Sequence, residues 1–199
     1  MTAPAQLVLA STSPWRRELL ERLGLPFDAV DPELDETPWH ERGLPPEMLV
    51  LELAAAKARA VASTVSPDSV ILAADQVACV DGTILLKPGT RGRAIEQLGL
   101  LQGRSHRLVT GVVLLDRRDG SCHSSLDIQT LTMRPLSLQQ RSNYVDREEV
   151  LGCAGSYKIE GLGICLFESL DGKDWTAVIG LPLIRVVDLL ERSGISILG

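Results

Sequence analysis

Residues 7–20, LVLASTSPWRRELL, join an apolar strand to a helix through a turn rich in hydroxyl groups. Ser13 stands where a helix N-cap belongs and Pro14 where the first helical residue belongs. The first helical turn then carries arginines, although the positive end of a helix favours carboxylates. A mismatch of this kind favours a bound anion. The side chains that could hold a phosphate here are Ser11, Thr12, Ser13, Arg16 and Arg17. The alternative is that both arginines are solvated surface charges.

A carboxylate, Asp75, interrupts the apolar run SVILAADQVACV at residues 69–80. A buried and unpaired carboxylate would cost several kcal/mol, on the order of 3–5. Asp75 is therefore expected to be paired, solvated or bound to a metal. The alternative is an edge strand on which Asp75 and Gln76 point to water.

Two lysines could bring positive charge to such a carboxylate. Lys57 lies on the apolar stripe of a helical segment, four residues from both Leu53 and Val61. A lysine on that stripe either reaches an anion or carboxylate, or extends its ammonium to water from the stripe edge. Lys87 follows a predicted hairpin that starts soon after Asp75, so it can return to the same place, although a lysine before Pro-Gly is usually an exposed loop residue.

Two further segments combine polar side chains with flexible backbone. Asp35 and Glu36 offer adjacent carboxylates of the kind that Mg²⁺ shares with a phosphate, unless they form only a solvated acidic loop. Residues 152–163, GCAGSYKIEGLG, carry four glycines beside Ser156, Lys158 and Glu160. This composition is typical of a loop that faces a ligand, and it matches neither a P-loop nor a dinucleotide-binding motif.

Cationic groups around a semi-buried carboxylate, with metal ligands nearby, favour hydrolysis of a phosphoanhydride over acyl transfer or redox chemistry. Catalysis of that reaction depends mainly on positioning the phosphates and neutralising their charge.

The elements that must position these residues alternate irregularly between strands and helices. Strands are predicted at 6–10, within 26–38, at 69–80, 84–86, 105–115 and 122–133, and among glycine-rich loops at 151–168. Helices are predicted at 14–23, 46–63, 91–101 and 138–147, and after residue 182 to about Arg192. This order, with hairpins in it, favours an α/β fold with a mixed sheet.

Composition restricts the classes of function. The chain has 199 residues, 45% hydrophobic and 23% charged, with a formal net charge of −6. This charge argues against a general nucleic-acid or membrane-surface binder. No segment resembles a signal peptide or a membrane span. The four cysteines lack metal-ligand spacing, as is typical of free thiols in a reducing cytosol, so we expect a cytoplasmic protein.

Several motifs together resemble those of the Maf family of nucleotide pyrophosphatases: ASTSPWRRELL, LDETP, AADQ, KP, GSYKIEGLG and VIGLPL. The resemblance covers nearly the whole chain. It implies one domain over residues 1–199 with an elongated mixed sheet flanked by helices, and two lobes around a cleft, as in inosine triphosphate pyrophosphatase. It also implies hydrolysis of a nucleoside triphosphate to monophosphate and pyrophosphate with Mg²⁺, Mn²⁺ or Co²⁺.

Roles for individual residues follow from the same resemblance. Asp75 would accept a proton from water and contact the metal. The phosphates would be bound by Ser11, Arg16, Lys57 and Lys87. Asp35 and Glu36 would help to hold the metal, and the resemblance does not decide between them.

Three residues, Trp15, Gln76 and Glu160, resemble the branch of the family that acts on 7-methyl-GTP. The methylated guanine ring is cationic, so an indole face on it gains stacking and cation–π attraction of about 1–2 kcal/mol. Glu160 could accept hydrogen bonds from guanine N–H groups, and the Gln76 amide could bond to a base edge.

Two alternatives remain open at this point. The same chemistry could act on dTTP, UTP or another modified nucleotide. The chain could also be a nucleotide-binding regulator of septum formation. In each case the expected partner is a nucleotide, with neither nucleic acid nor membrane bound, and a homodimer is possible.

Overall fold

The apolar runs of the chain form one mixed, seven-stranded sheet in the computed structural model, which describes residues 6–199. The strands are β1 Gln6–Ala10, β2 Phe27–Val30, β3 Ser69–Val80, β4 Thr83–Leu85, β5 Ser105–Asp116, β6 Cys122–Met133 and β7 Phe167–Asp171. Their order is β2-β1-β3-β5-β6-β7, and β4 pairs with β3 off this path. β1 is parallel to β2 and β3, whereas β4 and β7 are antiparallel to their partners.

Seven α-helices accompany the sheet in the described part of the chain: α1 Pro14–Glu21, α2 Thr37–His40, α3 Pro46–Ala62, α4 Arg91–Leu101, α5 Leu138–Val145, α6 Thr176–Ile179 and α7 Leu183–Arg192. Side-chain caps fix three of the helix starts. Ser13 caps α1, Thr90 caps α4, and Ser137 with Gln140 forms the predicted capping box of α5. The predicted class, a mixed α/β fold with helices on a central sheet, is confirmed.

The chain divides into two compact units. The first comprises the chain up to Asp75 with Thr110–Asp127 and Gly180–Gly199, and the second comprises Gln76–Val109 and Ile128–Ile179. Two lobes are thus present, as predicted. Each unit buries its own apolar cluster. The boundary between Asp75 and Gln76 separates two adjacent residues of the predicted site.

The first unit packs α3 against the sheet. Ala54, Ala58 and Val61 of this helix are buried with Val8 of β1 and Ile71 of β3. Small alanine side chains let the helix approach the sheet closely, and this packing fixes the face of α3 on which Lys57 lies.

The second unit has an aromatic centre. Three rings pack together there: His106 on β5, Tyr157 in the segment before β7, and Phe167 at the start of β7. The rings meet edge to face or tilted, with centroids 4.9 to 6.0 Å apart. Tyr157 belongs to the segment of residues 152–163, named the glycine loop from here on, so these ring contacts join the loop to β5 and β7.

Residues 151–168, predicted as strand among glycine-rich loops, contain strand only from Phe167 onward. The segment forms two 3₁₀ turns, Ala154–Ser156 and Leu162–Leu166, before β7 begins at Phe167. Gly155 and Ser156 have φ angles of 71° and 65°, a left-handed conformation outside the β region. The four-residue helix α2 was not predicted, because one turn leaves no periodic signal. Among the described residues, no helix has the length and apolarity needed to cross a membrane.

Candidate active site

The turn between β1 and α1 is held by its own hydroxyl groups. Ser13 Oγ accepts a hydrogen bond of 3.4 Å from the backbone N–H of Arg16, which confirms the predicted N-cap. Ser11 is buried, and its Oγ accepts a 3.1 Å hydrogen bond from the backbone N–H of Ser13. A hydroxyl that accepts one hydrogen bond can still donate one. Ser11 and Ser13 therefore both keep a donor for an anion, and Ser13 also caps the helix.

The two arginines of α1 have different surroundings. Arg17 is exposed and pairs with Glu21 one turn later, at 3.1 Å, so it is a surface charge. Arg16 is half-buried, and its Nε donates to the carbonyl of Gly180 at 3.0 Å. Burial lowers the pKa of Arg16, and the nearby carboxylates of Asp75 and Glu36 oppose that shift. Of these two arginines, Arg16 is the one that lies near the other candidate residues.

Lys57 lies at the centre of the site in the first unit. Its residue surface is only 7% exposed, so of the two alternatives that the sequence leaves open, a solvated position at the stripe edge is excluded. Its Nζ lies 2.6 Å from Asp75 Oδ1 and 2.8 Å from Glu36 Oε1. Asp75 is equally buried, at 7% exposed, so it is paired rather than turned to water as an edge residue would be.

Glu36, Lys57, Asp75 and Arg16 are named the charged cluster from here on. Their two carboxylates and two cations cancel in formal charge. Such cancellation, with short hydrogen bonds, is what makes buried charges tolerable in a protein interior. The arrangement also offers chemistry to both kinds of ligand, because an anion can bind the two cations and a metal ion can bind the carboxylates.

The structure separates the adjacent carboxylates Asp35 and Glu36. Asp35 is exposed, and its Oδ1 accepts a 3.0 Å hydrogen bond from the backbone N–H of Thr37 at the start of α2. Hydrogen bonds from the side chain and backbone of Thr37 lower the pKa of Asp35. Glu36 instead reaches Lys57 with one oxygen, and its other oxygen lies 3.7 Å from Nε2 of His40. Sequence reasoning did not single out His40, although its spacing of four residues from Glu36 was a usable signal.

The remaining predicted site residues belong to the second unit. Gln76 Nε2 donates to the carbonyl of Ala177 at 2.6 Å, which fixes the orientation of its amide. Lys87 and Glu160 are exposed. Both act on the half-buried thiol of Cys153: burial raises its pKa, the charge of Glu160 adds to the rise, and Lys87 opposes it. Lys87 and Glu160 are therefore brought to one neighbourhood of the second unit.

Gln97 of α4 is a residue that sequence reasoning missed. Its Oε1 accepts a 2.5 Å hydrogen bond from the hydroxyl of Ser156, and its Nε2 donates to the carbonyl of Leu86 at 2.8 Å. One amide thus joins the glycine loop to the segment that carries Lys87. No feature of the sequence distinguishes this glutamine from any other polar residue on a helix.

The metal ligands predicted from the sequence are only partly brought together. Within residues 6–199, no three side chains of His, Cys, Asp or Glu form a group that could hold a metal ion. Glu36 and Asp75 nevertheless converge on one cation, the Lys57 ammonium. Their oxygens suit a hard divalent cation such as Mg²⁺, which usually takes one or two carboxylates and completes its shell with water and phosphate oxygens.

A family model described as Maf-like protein matches residues 6–193. The chain is 44% identical over 194 residues to the 7-methyl-GTP pyrophosphatase of Vibrio vulnificus, covering 98% of each chain. It is 45% identical over 191 residues to the 7-methyl-GTP pyrophosphatase of Pseudomonas aeruginosa, covering 96% of this chain and 98% of the relative. A solved nucleoside-triphosphatase / dITP/XTP pyrophosphatase from Mycobacterium abscessus is 17% identical, with a TM-score of 0.42, and the match covers 71% of this chain and 94% of that one. A TM-score this low supports no argument about the site.

Proposed function

Because the chain belongs to the Maf family, we propose that it is a nucleotide pyrophosphatase that hydrolyses 7-methyl-GTP to 7-methyl-GMP and pyrophosphate. Two relatives of that name are 44% and 45% identical to it over nearly the whole chain. The structural observation that carries the proposal is the buried Lys57 ammonium shared by Glu36 and Asp75, with Arg16 beside them.

The phosphates of the substrate are assigned to Ser11, Arg16, Lys57 and Lys87. Support comes from the first unit, where Arg16 and Lys57 are cations held away from bulk water. Cations fixed in such a place cost little reorganisation when charge develops on phosphate oxygens, so they stabilise the transition state more than mobile surface charges do. Lys87 is carried by the second unit, and its role rests on the family resemblance.

We assign to Asp75 the role of accepting a proton from the attacking water. Its Oδ1 is hydrogen-bonded to Lys57, so Oδ2 is the oxygen that we expect to accept the proton. The water oxygen forms a new bond to phosphorus. The phosphoanhydride bond between the α- and β-phosphates breaks, and its electron pair leaves with pyrophosphate.

A divalent metal is part of the proposal. Glu36 and Asp75 would hold it, and the exposed Asp35 is the weaker candidate because its carboxylate is hydrogen-bonded to Thr37. When bound, such an ion would neutralise charge on the phosphate oxygens. In its absence, the Lys57 ammonium holds the two carboxylates together.

Recognition of the base is assigned to Trp15, Gln76 and Glu160. The fixed amide of Gln76 supports this assignment, since an amide held by Ala177 presents a constant edge to a base. Trp15 is half-buried in the first turn of α1, next to Arg16. Its indole would stack on the cationic 7-methylguanine ring.

The decisive measurement is pyrophosphate release from 7-methyl-GTP, GTP, dTTP and UTP with Mg²⁺, Mn²⁺ or Co²⁺. We expect the highest kcat/KM with 7-methyl-GTP and a loss of about 10²–10⁴-fold in the Asp75→Asn variant. Asp188→Asn, which changes an exposed carboxylate of α7, is the matched control and should retain full activity. Equal activity of Asp75→Asn and the native protein would refute the assignment of Asp75.

The panel also separates the alternatives. A preference for dTTP or UTP would change the substrate and keep the chemistry. Nucleotide binding without turnover would favour a regulatory protein. Trp15→Ala should lose more activity on 7-methyl-GTP than on a pyrimidine nucleotide, whereas an equal loss on both would argue against stacking.

The cytoplasm is the proposed location, since all four cysteines carry free thiols, as in a reducing compartment. A homodimer stays a prediction, to be checked by sedimentation of the purified protein. Binding of nucleic acid is not expected at a formal net charge of −6.

A further inference from the structure

The stretch from Lys158 to Leu162 in the glycine loop is held at both ends by residues of one helix end. The hydroxyl of Tyr144, in the last turn of α5, accepts a 3.0 Å hydrogen bond from the backbone N–H of Lys158. Just after α5, Glu148 Oε2 accepts a 2.7 Å hydrogen bond from the backbone N–H of Leu162. Burial raises the pKa of Tyr144, so its phenol stays protonated.

Glu148 also holds the side chain at the first end of this stretch. Its Oε1 lies 3.4 Å from Lys158 Nζ. The two side chains are only 17% and 13% exposed, so this ion pair is screened less than a surface pair would be. The carboxylate therefore connects Lys158 and Leu162 across the three residues between them.

Two glycines make these contacts possible. A Cβ atom on Gly161 would lie 2.5 Å from Glu148 Oε2. A Cβ atom on Gly163 would lie 2.1 Å from the carbonyl oxygen of Lys158 and 2.9 Å from the Tyr144 hydroxyl. Gly161 and Gly163 thus leave the space that Tyr144 and Glu148 occupy, and these two glycines need not be explained by contact with a ligand.

Glu160 lies midway between the two held ends. It is exposed, and none of the bonds named above involves its side chain. A short stretch that is fixed at both ends leaves the residue at its middle few conformations, which lowers the entropy lost when that residue binds a ligand.

We propose that Tyr144 and Glu148 are positioning residues that hold Glu160 for recognition of the guanine base. The inference rests on the proposed function, because Glu160 is assigned to the base there. Neither residue touches the substrate in this scheme. They affect which nucleotide is hydrolysed, because they fix the position of the Glu160 carboxylate.

The test compares Tyr144→Phe, Glu148→Gln and Glu148→Ala with the native enzyme on 7-methyl-GTP and UTP. Uracil lacks the exocyclic amine that Glu160 would bind, so the hydrolysis of UTP should depend less on this carboxylate. We expect the ratio of kcat/KM for the two nucleotides to fall about five- to tenfold in Tyr144→Phe and Glu148→Ala, the equivalent of one hydrogen bond. Glu148→Gln keeps an acceptor for Leu162 and should retain more of the ratio.

Asp146→Asn is the matched control. Asp146 caps the same end of α5 but is exposed and pairs with Arg91, so its loss should leave the ratio unchanged. Amide exchange at Lys158 and Leu162 should quicken in Tyr144→Phe and Glu148→Ala and stay as in the native protein in the control. A readout of exchange needs no activity, so it also applies to a variant that turns over slowly.

The outcomes separate this inference from the function on which it rests. If the native enzyme selects 7-methyl-GTP and the variants lose activity equally on both nucleotides, the two residues are merely structural and the inference is overturned. If the native enzyme prefers another nucleotide, the proposed substrate is wrong, and the ratio for that nucleotide decides the positioning role. If it hydrolyses none, both proposals fail.

Discussion

The charged cluster of the first unit and the glycine loop of the second are held in different ways. In the cluster, one ammonium bridges two carboxylates within 2.8 Å. In the loop, most of the bonds come from neutral groups: the Gln97 amide, the Tyr144 hydroxyl, and a 2.9 Å hydrogen bond between Tyr157 and Nε2 of His106. The first region depends on cancelled charge and the second on many modest hydrogen bonds.

This difference predicts different responses to substitution. Removing one member of a buried ion cluster leaves the remaining charges unpaired, at a cost of about 3–5 kcal/mol. Removing one hydrogen bond from a network costs about 1–3 kcal/mol, and the other bonds remain. The cluster should therefore fail as a unit, whereas the loop should loosen by steps.

The largest effect is expected from Lys57→Met. This variant keeps the length and apolar stem of the side chain but leaves Glu36 and Asp75 facing each other without an ammonium. We expect a loss of about 3–5 kcal/mol in the free energy of unfolding, measured in urea, together with loss of pyrophosphate release.

Arg17→Met is the control for this prediction. It also removes a helical cation from an ion pair, but Arg17 and Glu21 are 60% and 54% exposed, so the expected loss is below about 1 kcal/mol. Similar losses in the two variants would show that the charged cluster has no special dependence on its ammonium.

The second prediction concerns acid sensitivity of the loop region. Burial lowers the pKa of His106 to about 4, so this residue is neutral in the folded protein at neutral pH. Its ordinary pKa of about 6.5 applies in the unfolded chain, which therefore binds more protons between the two values. The contribution of His106 to stability is complete above the higher pKa and is lost as the pH falls toward the lower one.

As the pH falls from about 7 to about 5, protonation of His106 in the unfolded chain should by itself lower the free energy of unfolding by about 2 kcal/mol. His106→Gln removes the titrating ring, so its stability should fall by correspondingly less over the same range. Urea unfolding of both proteins at each pH measures the difference. Parallel curves would mean that His106 titrates alike in the folded and unfolded states.

The charged cluster could be predicted from the sequence in part, for a physical reason. Asp75 and Lys57 stand among apolar neighbours, where a charge must have a partner, and both are indeed buried and paired. Their pairing with each other could not be predicted, because they lie 18 residues apart on a strand and a helix. The choice between Asp35 and Glu36 depends on where α2 begins, which no periodicity marks.

The glycine loop could be predicted much less well. Its glycines suggested flexibility facing a ligand, whereas Gly161 and Gly163 leave room for side chains of the protein itself. Tyr144 and Glu148 lie in or next to a short helix whose sequence is ordinary. Every residue except proline has a backbone N–H, so the sequence does not indicate which N–H groups these two side chains bind. The hydrogen bonds become visible only in the fold.

A smaller effect is expected from Gln97→Met. The Ser156 hydroxyl is buried and would lose its acceptor, so the free energy of unfolding should fall by about 1–2 kcal/mol. KM for the nucleotide should rise as well, because the segment before Lys87 loses its bond to the same amide. Gln139→Met, on the exposed surface of α5, is the control and should change stability by less than about 0.5 kcal/mol. A change in the control as large as in Gln97→Met would contradict a specific stabilising role of the Gln97 amide.

The smallest effect is expected from Asp35→Asn. Asp35 is exposed and bonded to Thr37, whereas Glu36 lies within the charged cluster. We therefore expect the metal concentration for half-maximal pyrophosphate release to change less than about twofold in Asp35→Asn, and to rise about tenfold or more in Glu36→Gln. Both variants keep the size of the side chain and remove one negative charge, so a general electrostatic effect would shift them equally. A larger change in Asp35→Asn than in Glu36→Gln would assign the metal to Asp35 instead of the charged cluster. Glu36 would then serve only to hold Lys57.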